Sequence, residues 1–506
     1  MPIKADPTLT PRQLQPALER LFALSAGKIL STEKSWKPAA GTPVFTVRGR
    51  YTARGWTEWT QGFQYGSAIL QFDATGEERF LELGRRGTLR HMPSHVSHVG
   101  VHDHGFNNVS TYGNLLRLVR EGRTPAIECE RDLYELALKV SGAVQAARWT
   151  RLADGTGFIH SFNGPHSLFV DTIRSCRALA LAHRLGHVLM GEQDTRISLL
   201  QRLLDHAWNT ARFNVSYGEC RDAYDVRGRT AHEAVFNVTN GVFRCLNSQQ
   251  GWSPFSTWTR GLAWAVCGFA ELLEFLATVP ERELDAAAAF VSVRHRGQRV
   301  IAALEEAAFA TADYYLEHCC ADGIPMWDTG APNLHRLPAD YLDRPSDPYN
   351  PWEPVDSSAA AIAAQGLWRL GRHLGGVAAD GEAGRSPKSE GRSPKEVRRA
   401  KSMTRTRHAG GPRVDRGSRY GQAALTIART LFAEPYLGTD DRHQGLILHS
   451  VYHRPNGWDY VAPGQRIPNG ESSMWGDYHA RELALVLWRE SRGEPYPTFF
   501  GGAGSE

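Results

Sequence analysis

Residues 356–371 read DSSAAAIAAQGLWRLG. Asp356-Ser357-Ser358 offers side-chain oxygens to the free N–H groups of a helix start, and a run of strong helix formers follows. Gly371 after Leu370 predicts the stop. The many small residues let neighbouring helices approach closely. Working outward, apolar recurrence at three and four with caps or breakers at the ends predicts twelve helices: 11–29, 56–75, 78–92, 106–121, 126–147, 169–188, 193–212, 255–278, 298–319, 356–372, 418–434 and 474–491. Strand-like stretches are few (42–52, 232–239, 446–460) and read as hairpins or rim loops. With no βαβ alternation, the pattern predicts an all-α toroid, six inner helices within six outer ones. A closed double layer buries both faces of each inner helix, so the 506 residues read as one domain rather than three.

One stretch breaks the pattern. Residues 375–417 repeat GRSPK at 384–388 and 391–395 and continue as RRAKSMTRTRHAGGPRVDRGS, with almost no large apolar residue. Such a segment buries too little to offset its ordering entropy, so it reads as a disordered insertion; the rival reading is a basic arm for a nucleic acid or a partner. It also carries the chain's basicity. Residues 381–418 hold eleven Lys or Arg against four Asp or Glu, a net +7, which leaves −3 on the remainder of a chain whose total is +4. An anionic ligand would then be held by local groups rather than by a global field, and nucleic acid is not the expected partner.

Nowhere do 18 apolar residues run together, and the N-terminus lacks the apolar run of a signal peptide, so the expectation is a soluble cytoplasmic chain with no membrane partner. Seven cysteines without framework spacing read as reduced, buried thiols.

Two acidic residues stand in unusual settings. Asp103 lies in VHDHGFNN, a polar turn ahead of a helix, and Asp171 in SLFVDTIRSCRALALA enters a strongly apolar helix. A carboxylate at a helix entrance is ordinarily a cap. Here both fall at the same end of their helices, where a toroid gathers its loops around one cavity. Two carboxyls in an aromatic cleft supply the tools of glycosidic chemistry, a proton donor and a group that orients water or substrate. Several of the fourteen tryptophans sit in loops or at helix ends beside polar residues, among them Trp56, Trp59, Trp149, Trp258, Trp264, Trp327, Trp458 and Trp475, and such rings stack on sugars when they are not core. Arg260 and Trp264, at i and i+4, share a helix face that suits an acidic sugar. The histidines of HMPSHVSHVGVHDH (91–104) and the run His318-Cys319-Cys320 lack zinc-ligand spacing, so no metal is expected. No Walker loop, dinucleotide fingerprint or nucleophile elbow is present.

Seven motifs in order, VHDHGF (101–106), FVDTIRSCRALALA (169–182), STWTRGLAWAVCGFAELL (256–273), GIPMWDTGAP (323–332), DSSAAAIAAQGL (356–367), LILHSVYHRPNG (446–457) and SSMWGDYHARELAL (472–485), resemble glycoside hydrolase family 88, the unsaturated glucuronyl hydrolases. The resemblance implies an (α/α)6 barrel that hydrolyses lyase-generated oligosaccharides bearing a 4,5-unsaturated uronic acid at the non-reducing end, without a cofactor. It places the general acid and base on Asp171 and the second essential carboxylate on Asp103. Substrate contacts fall on His232, Gln250, Arg260, Trp264, Ser472 and Ser473, with Trp59 and Trp149 at further aromatic positions. The stretch TIRSCRAL after Asp171 departs from the family's Asn-Leu-rich pattern, which implies a shifted substrate preference.

The implied reaction is hydration of a vinyl ether. Asp171, kept protonated by an apolar setting, protonates ring carbon 4; water adds at carbon 5, and the hemiketal opens to release the remaining sugar. Arg260 and the serines would hold the uronate, a charge-assisted bond being worth about 1.5–3 kcal/mol. The alternatives are an unsaturated rhamnogalacturonyl hydrolase on the same barrel, a zinc enzyme on an α-toroid, and a non-catalytic uronate-binding protein. A monomer or homodimer is expected.

Overall fold

A computed structural model describes residues 2–55, 58–125, 127–375 and 413–500. Asp356 caps its helix as its position predicts: its carboxylate accepts from the Ser358 and Ala359 N–H groups and from Ser358 Oγ, at 3.0, 3.4 and 2.6 Å. The helix does not stop at Gly371, which is buried inside it; it runs over Ser357–His373, and the turn comes at Gly375 with φ +71°.

Each of the twelve predicted segments contains a helix. The six outer ones are α1 (Gln15–Ser35), α3 (Glu78–His91), α5 (Glu128–Ala147), α7 (Leu199–Phe213), α9 (Arg296–His318) and α11 (Arg413–Leu431). The inner six are α2 (Gln61–Thr75), α4 (His104–Asn108, a π-helical turn Val109–Gly113, then Asn114–Arg120), α6 (Thr172–Ser175 and Arg177–Arg184), α8 (Thr259–Leu276), α10 (Ser357–His373) and α12 (Met474–Ser491). Each inner helix packs on the next and α12 returns to α2, closing the ring. Burial separates the layers: every residue of α8 except Glu274 is buried, as expected for a helix apolar all round, while the outer helices bury one stripe.

The ring is tight because glycines face backbone. A Cβ on Gly366 of α10 would lie 2.6 Å from Cys267 Cα of α8, and one on Gly105 of α4 would lie 2.0 Å from the Ser175 carbonyl oxygen of α6. Charge fills the axis below. Arg174 of α6 pairs with Glu271 of α8 and, at 3.2 Å, with Glu482 of α12, while Arg177 lies 3.6 and 3.7 Å from the same two carboxylates. Burial alone would raise Glu482, but the two arginines hold its carboxyl down to about 2. Its stabilising effect is therefore complete above its ordinary 4.5 and lost as pH falls toward 2.

Of the strand-like stretches, 42–52 forms the hairpin β1 (Pro43–Val47) with β2 (Arg50–Ala53). Residues 232–239 supply Glu233–Phe236, which pairs with Ser167–Phe169 and Phe243–Asn247. Of the two readings of 446–460 the rim loop holds: beyond one bridge at Ile447 and a 3-10 turn at Arg454–Asn456 the segment has no regular pairing, and many of its N–H and C=O groups bond to side chains. Leu446 and Ile447 donate to Asp477, Tyr452 and His453 donate to Asp459, and the carbonyls of Val451 and Tyr452 accept from Arg260. Of the expected insertion, Gly375 belongs to the turn after α10 and 413–417 to α11; 376–412 lie outside the described residues. Four cysteines are buried as expected, but Cys129, Cys220 and Cys245 are exposed; all seven are free. None of the described helices is long and apolar enough to cross a membrane.

Two stability predictions follow from the ring. Gly105→Ala must displace the Ser175 backbone and is expected to cost about 1–3 kcal/mol in urea unfolding. Glu271→Gln leaves the two buried guanidinium groups undercompensated and is expected to cost about 3–5 kcal/mol by the same measurement.

Candidate active site

The connections that lead into inner helices are 36–60, 92–103, 148–171, 214–258, 319–356 and 432–473. They therefore gather at one end of the barrel, over the inner N-termini. The junctions at Gly375 and Arg413 belong to the opposite end, where an inner helix hands over to an outer one. Inside the mouth lies an open cavity of about 640 Å³, counting the solvent space at its entrance. Phe106 and Trp264 line it from α4 and α8, with Trp59, Phe162, Tyr452 and Trp458 as further aromatic walls and His102, Asp103, Asp171, Gln249, Gln250 and His453 as its polar groups. A smaller cavity of about 370 Å³ beside Lys28, Asp477 and Arg481 lies away from this mouth. Its charged groups are occupied structurally, Lys28 by the Asp440 and His443 carbonyls and Asp477 by Tyr51 and the 446–447 backbone.

Asp103 and Asp171 converge here. Both occupy the residue before a helix, and neither side chain makes a capping bond, in contrast to Asp356. They are buried, at 6% and 8% exposure, a costly place for a carboxylate with no structural duty. His102 stands between them, its Nε2 3.6 Å from Asp103 Oδ1 and 3.9 Å from Asp171 Oδ2, ion-pair distances rather than hydrogen bonds. Asp171 Oδ1 has no partner at all. Burial pushes Asp103 above its ordinary value, and the neighbouring Asp171 adds to the rise. Burial pushes Asp171 up as well, but His102 and the field of His232 outweigh it and hold the carboxyl below its ordinary value. The expectation that an apolar setting keeps Asp171 protonated thus fails for the free protein, because two imidazoles face it.

His232 lies behind this pair, buried between the rings of Phe169 and Trp258. The Gln249 N–H, at 3.0 Å, and the Gln250 N–H, at 3.4 Å, both donate to its Nδ1, which assigns the proton to Nε2, an atom without a partner. Burial pushes its pKa down to about 4, so the ring is a neutral donor at neutral pH.

Five of the ten expected site residues line the cavity: Asp103, Asp171, Gln250, Trp264 and Trp59. Arg260 stands one layer behind. Its guanidinium lies between the rings of Trp258 and Trp475, at 4.6 and 4.8 Å, and donates to the Val451 and Tyr452 carbonyls, Asp356 and Gln250 Oε1. It is 1% exposed and engaged on every side, so it orients Gln250 and the 446–460 loop and is not free to grip a uronate. Ser472 and Ser473 also fall outside the cavity lining: Ser472 Oγ donates to Asp477, and Ser473 Oγ caps α12 at the Gly476 N–H. Trp149 is covered by Arg202, whose guanidinium lies 3.8 Å from its ring centre, and does not reach the cavity.

Sequence reasoning missed His102, Phe162, Gln249, Tyr452 and His453 as site residues, although Trp458 was among the tryptophans singled out. His102 was legible only as part of a histidine-rich run. The structure disperses that run: His91 stacks on Tyr65, His95 meets Gln61 and Asn107, and His104 meets Ser141 and the His98 carbonyl. His318 likewise stacks on Tyr314. Among the described residues, the one group whose ligand atoms lie within 4.8 Å of one another is Glu281, Asp285 and His295, on the connection between α8 and α9 and away from the cavity.

No family model matches the chain. It is 24% identical over 456 residues to the unsaturated glucuronyl hydrolase of Bacillus sp. (strain GL1), covering 88% of this chain and 90% of that one. It is 22% identical to the enzyme of the same name from Formosa agariphila, over 62% of this chain and 63% of that one. Among solved structures, the Bacillus enzyme superposes with a TM-score of 0.63 at 20% identity, over 96% of this chain and all of that one. An unsaturated glucuronyl hydrolase specific for heparin gives a TM-score of 0.62 at 18% identity, over 94% of this chain and 98% of that one. A variant of the Streptococcus agalactiae enzyme, complexed with dGlcA-GalNAc6S, gives 0.55 at 16% identity over 96% of this chain and 97% of that one. By sequence and by its helical barrel, the chain is a relative of the unsaturated glucuronyl hydrolases.

Proposed function

We propose that this chain is a glycoside hydrolase that removes a 4,5-unsaturated uronic acid (4-deoxy-L-threo-hex-4-enopyranuronate) from the non-reducing end of lyase-generated oligosaccharides. One observation carries the reading: two buried carboxylates at helix entrances, neither used as a cap, face the same aromatic cavity. The named relatives support it from outside.

The chemistry suits these groups. The ring would lie against the aromatic walls, Trp59, Phe162 and Trp458 being placed to stack on its faces. Its carboxylate would meet a neutral donor, the amide nitrogen of Gln250, whose oxygen Arg260 holds. Binding an anion and expelling water both disfavour an ionised Asp171, so the filled site raises the carboxyl that the empty site holds down. Asp171 then gives its proton to carbon 4. Positive charge develops at carbon 5 and the ring oxygen, where carboxylate charge in the same cavity stabilises it. Water, deprotonated by Asp171, adds at carbon 5, and the hemiketal opens to release the aglycone. The reaction as written calls on no metal or organic cofactor.

The test is loss of the ultraviolet absorbance of the double bond when the protein meets a panel of lyase products, pectin-derived ones included to expose a rhamnogalacturonyl preference. Asp171→Asn is expected to lower turnover by about 10²–10⁴-fold while unfolding at the wild-type denaturant concentration; equal turnover in the variant removes Asp171 from its role. Because the Gly375 and Arg413 junctions lie opposite the mouth, replacing 376–412 by a Gly/Ser linker is expected to leave turnover within about twofold. A collapse of turnover there assigns the segment a part in the site.

A further inference from the structure

His102 has no task in the chemistry above, yet it is the most constrained polar group of the cavity. It is buried at 1% exposure, and neither ring nitrogen has a hydrogen-bond partner, a rare state for a buried imidazole. Its place is fixed from behind: Gln145 Nε2 and Ser175 Oγ donate to its carbonyl oxygen at 2.7 and 2.6 Å. Its ring stacks on Phe162 with centroids 5.8 Å apart and meets Phe169 edge-on at 5.7 Å. Held in this way, Nε2 points between Asp103 and Asp171, within a small shift of a hydrogen bond to either.

We propose that His102 is a positioning residue that carries, in the free protein, the proton the reaction needs, and passes it to the Asp103–Asp171 carboxylate pair when an anionic sugar fills the cavity, Asp171 then delivering it. The inference rests on the hydrolase reading of this site. The groups facing His102 are Asp103 and Asp171, Arg148 at the end of α5, and the imidazoles of His160, His206 and His232. Burial holds those three imidazoles neutral at neutral pH, at about 4, 3 and 4. Burial pushes His102 down as well, but the two carboxylates outweigh both burial and Arg148 and hold it above its ordinary 6.5. Transfer breaks Nε2–H and forms an O–H bond on the carboxylate pair. With the proton on Asp171, that O–H bond breaks in turn as the electron pair of the double bond takes the proton at carbon 4. Water oxygen then bonds to carbon 5, and its surplus proton returns through Asp171 to His102, so each turnover consumes one water and restores the cluster.

The proton is present below the folded pKa of His102 and lost as pH rises through it, so wild-type turnover persists through neutral pH and falls on the alkaline side. In His102→Gln only the carboxyls can hold the proton. The alkaline limb of kcat is expected to move toward acid by about one pH unit or more, with kcat at pH 7 down about tenfold or more, KM within about threefold and activity recovering in acid. A purely structural role lowers kcat alike at every pH; that result, or an unmoved limb, overturns the proposal. A second measurement stands free of the variant: nuclear magnetic resonance of histidine-labelled wild type, with His102 assigned through its contacts to the Phe162 and Phe169 rings. A protonated imidazole at pH 7 without ligand is expected, and a neutral one overturns the proposal. Because this readout needs no turnover, it is distinguishable from failure of the hydrolase reading, which shows as a wild-type protein that consumes none of the lyase products.

Discussion

Four charged side chains on the barrel axis set the positions of everything above them. Arg174 and Arg177 of α6 reach Glu271 of α8 and Glu482 of α12, and Arg177 also donates to the Gly105 carbonyl and to Ser110 Oγ of α4. Desolvation offsets most of the attraction within such a group, so its contribution is geometric more than energetic. Asp171 stands three residues before Arg174, and Asp103 two residues before Gly105. The network that registers α4, α6, α8 and α12 against one another therefore also registers the two carboxylates, with His479, Trp264 and Phe106 packed together beneath the cavity.

Above this plug the site is built from polar groups left unpaired, which a buried site tolerates only at a cost. Asp171 Oδ1, both nitrogens of His102 and His232 Nε2 lack hydrogen-bond partners, and both imidazoles act electrostatically on Asp171. Arg260 shows the contrasting arrangement. Its guanidinium satisfies two carbonyls, a carboxylate and an amide between two indoles, and in doing so it fixes the irregular 446–460 loop and the orientation of Gln250. On the proposed reading, recognition of an anionic sugar depends on an oriented neutral donor and on a proton carried by the cluster.

The helices were legible because an inner helix apolar on all sides and an outer one with a single stripe leave strong periodic signals, and because Asp356 acts as the cap its position suggests. Gly371 misled as a stop because it lies buried within the helix, whose chain turns only at Gly375. The carboxylates were legible as helix entrances, but only the structure shows that neither caps. Arg260, Ser472, Ser473 and Trp149 could not be placed from sequence, since each is claimed by a partner distant in the chain: the 451–452 carbonyls, the Asp477 carboxylate, the α12 N-terminus and Arg202. His102 was hidden in a run of histidines whose other members the fold turns away from the carboxylate pair, His91 to Tyr65, His95 to Gln61 and His104 to Ser141.

The central claim is that this cavity hydrates the ring double bond instead of attacking the anomeric carbon, and isotopic turnover tests it most directly. Unsaturated disaccharide incubated with the protein in deuterated, oxygen-18-enriched water is analysed by mass spectrometry and nuclear magnetic resonance. The account predicts one deuterium at carbon 4, delivered to a single face, and the heavy oxygen at carbon 5 of the released keto sugar. Heavy oxygen at the anomeric carbon, with the double bond retained in the product, would contradict it.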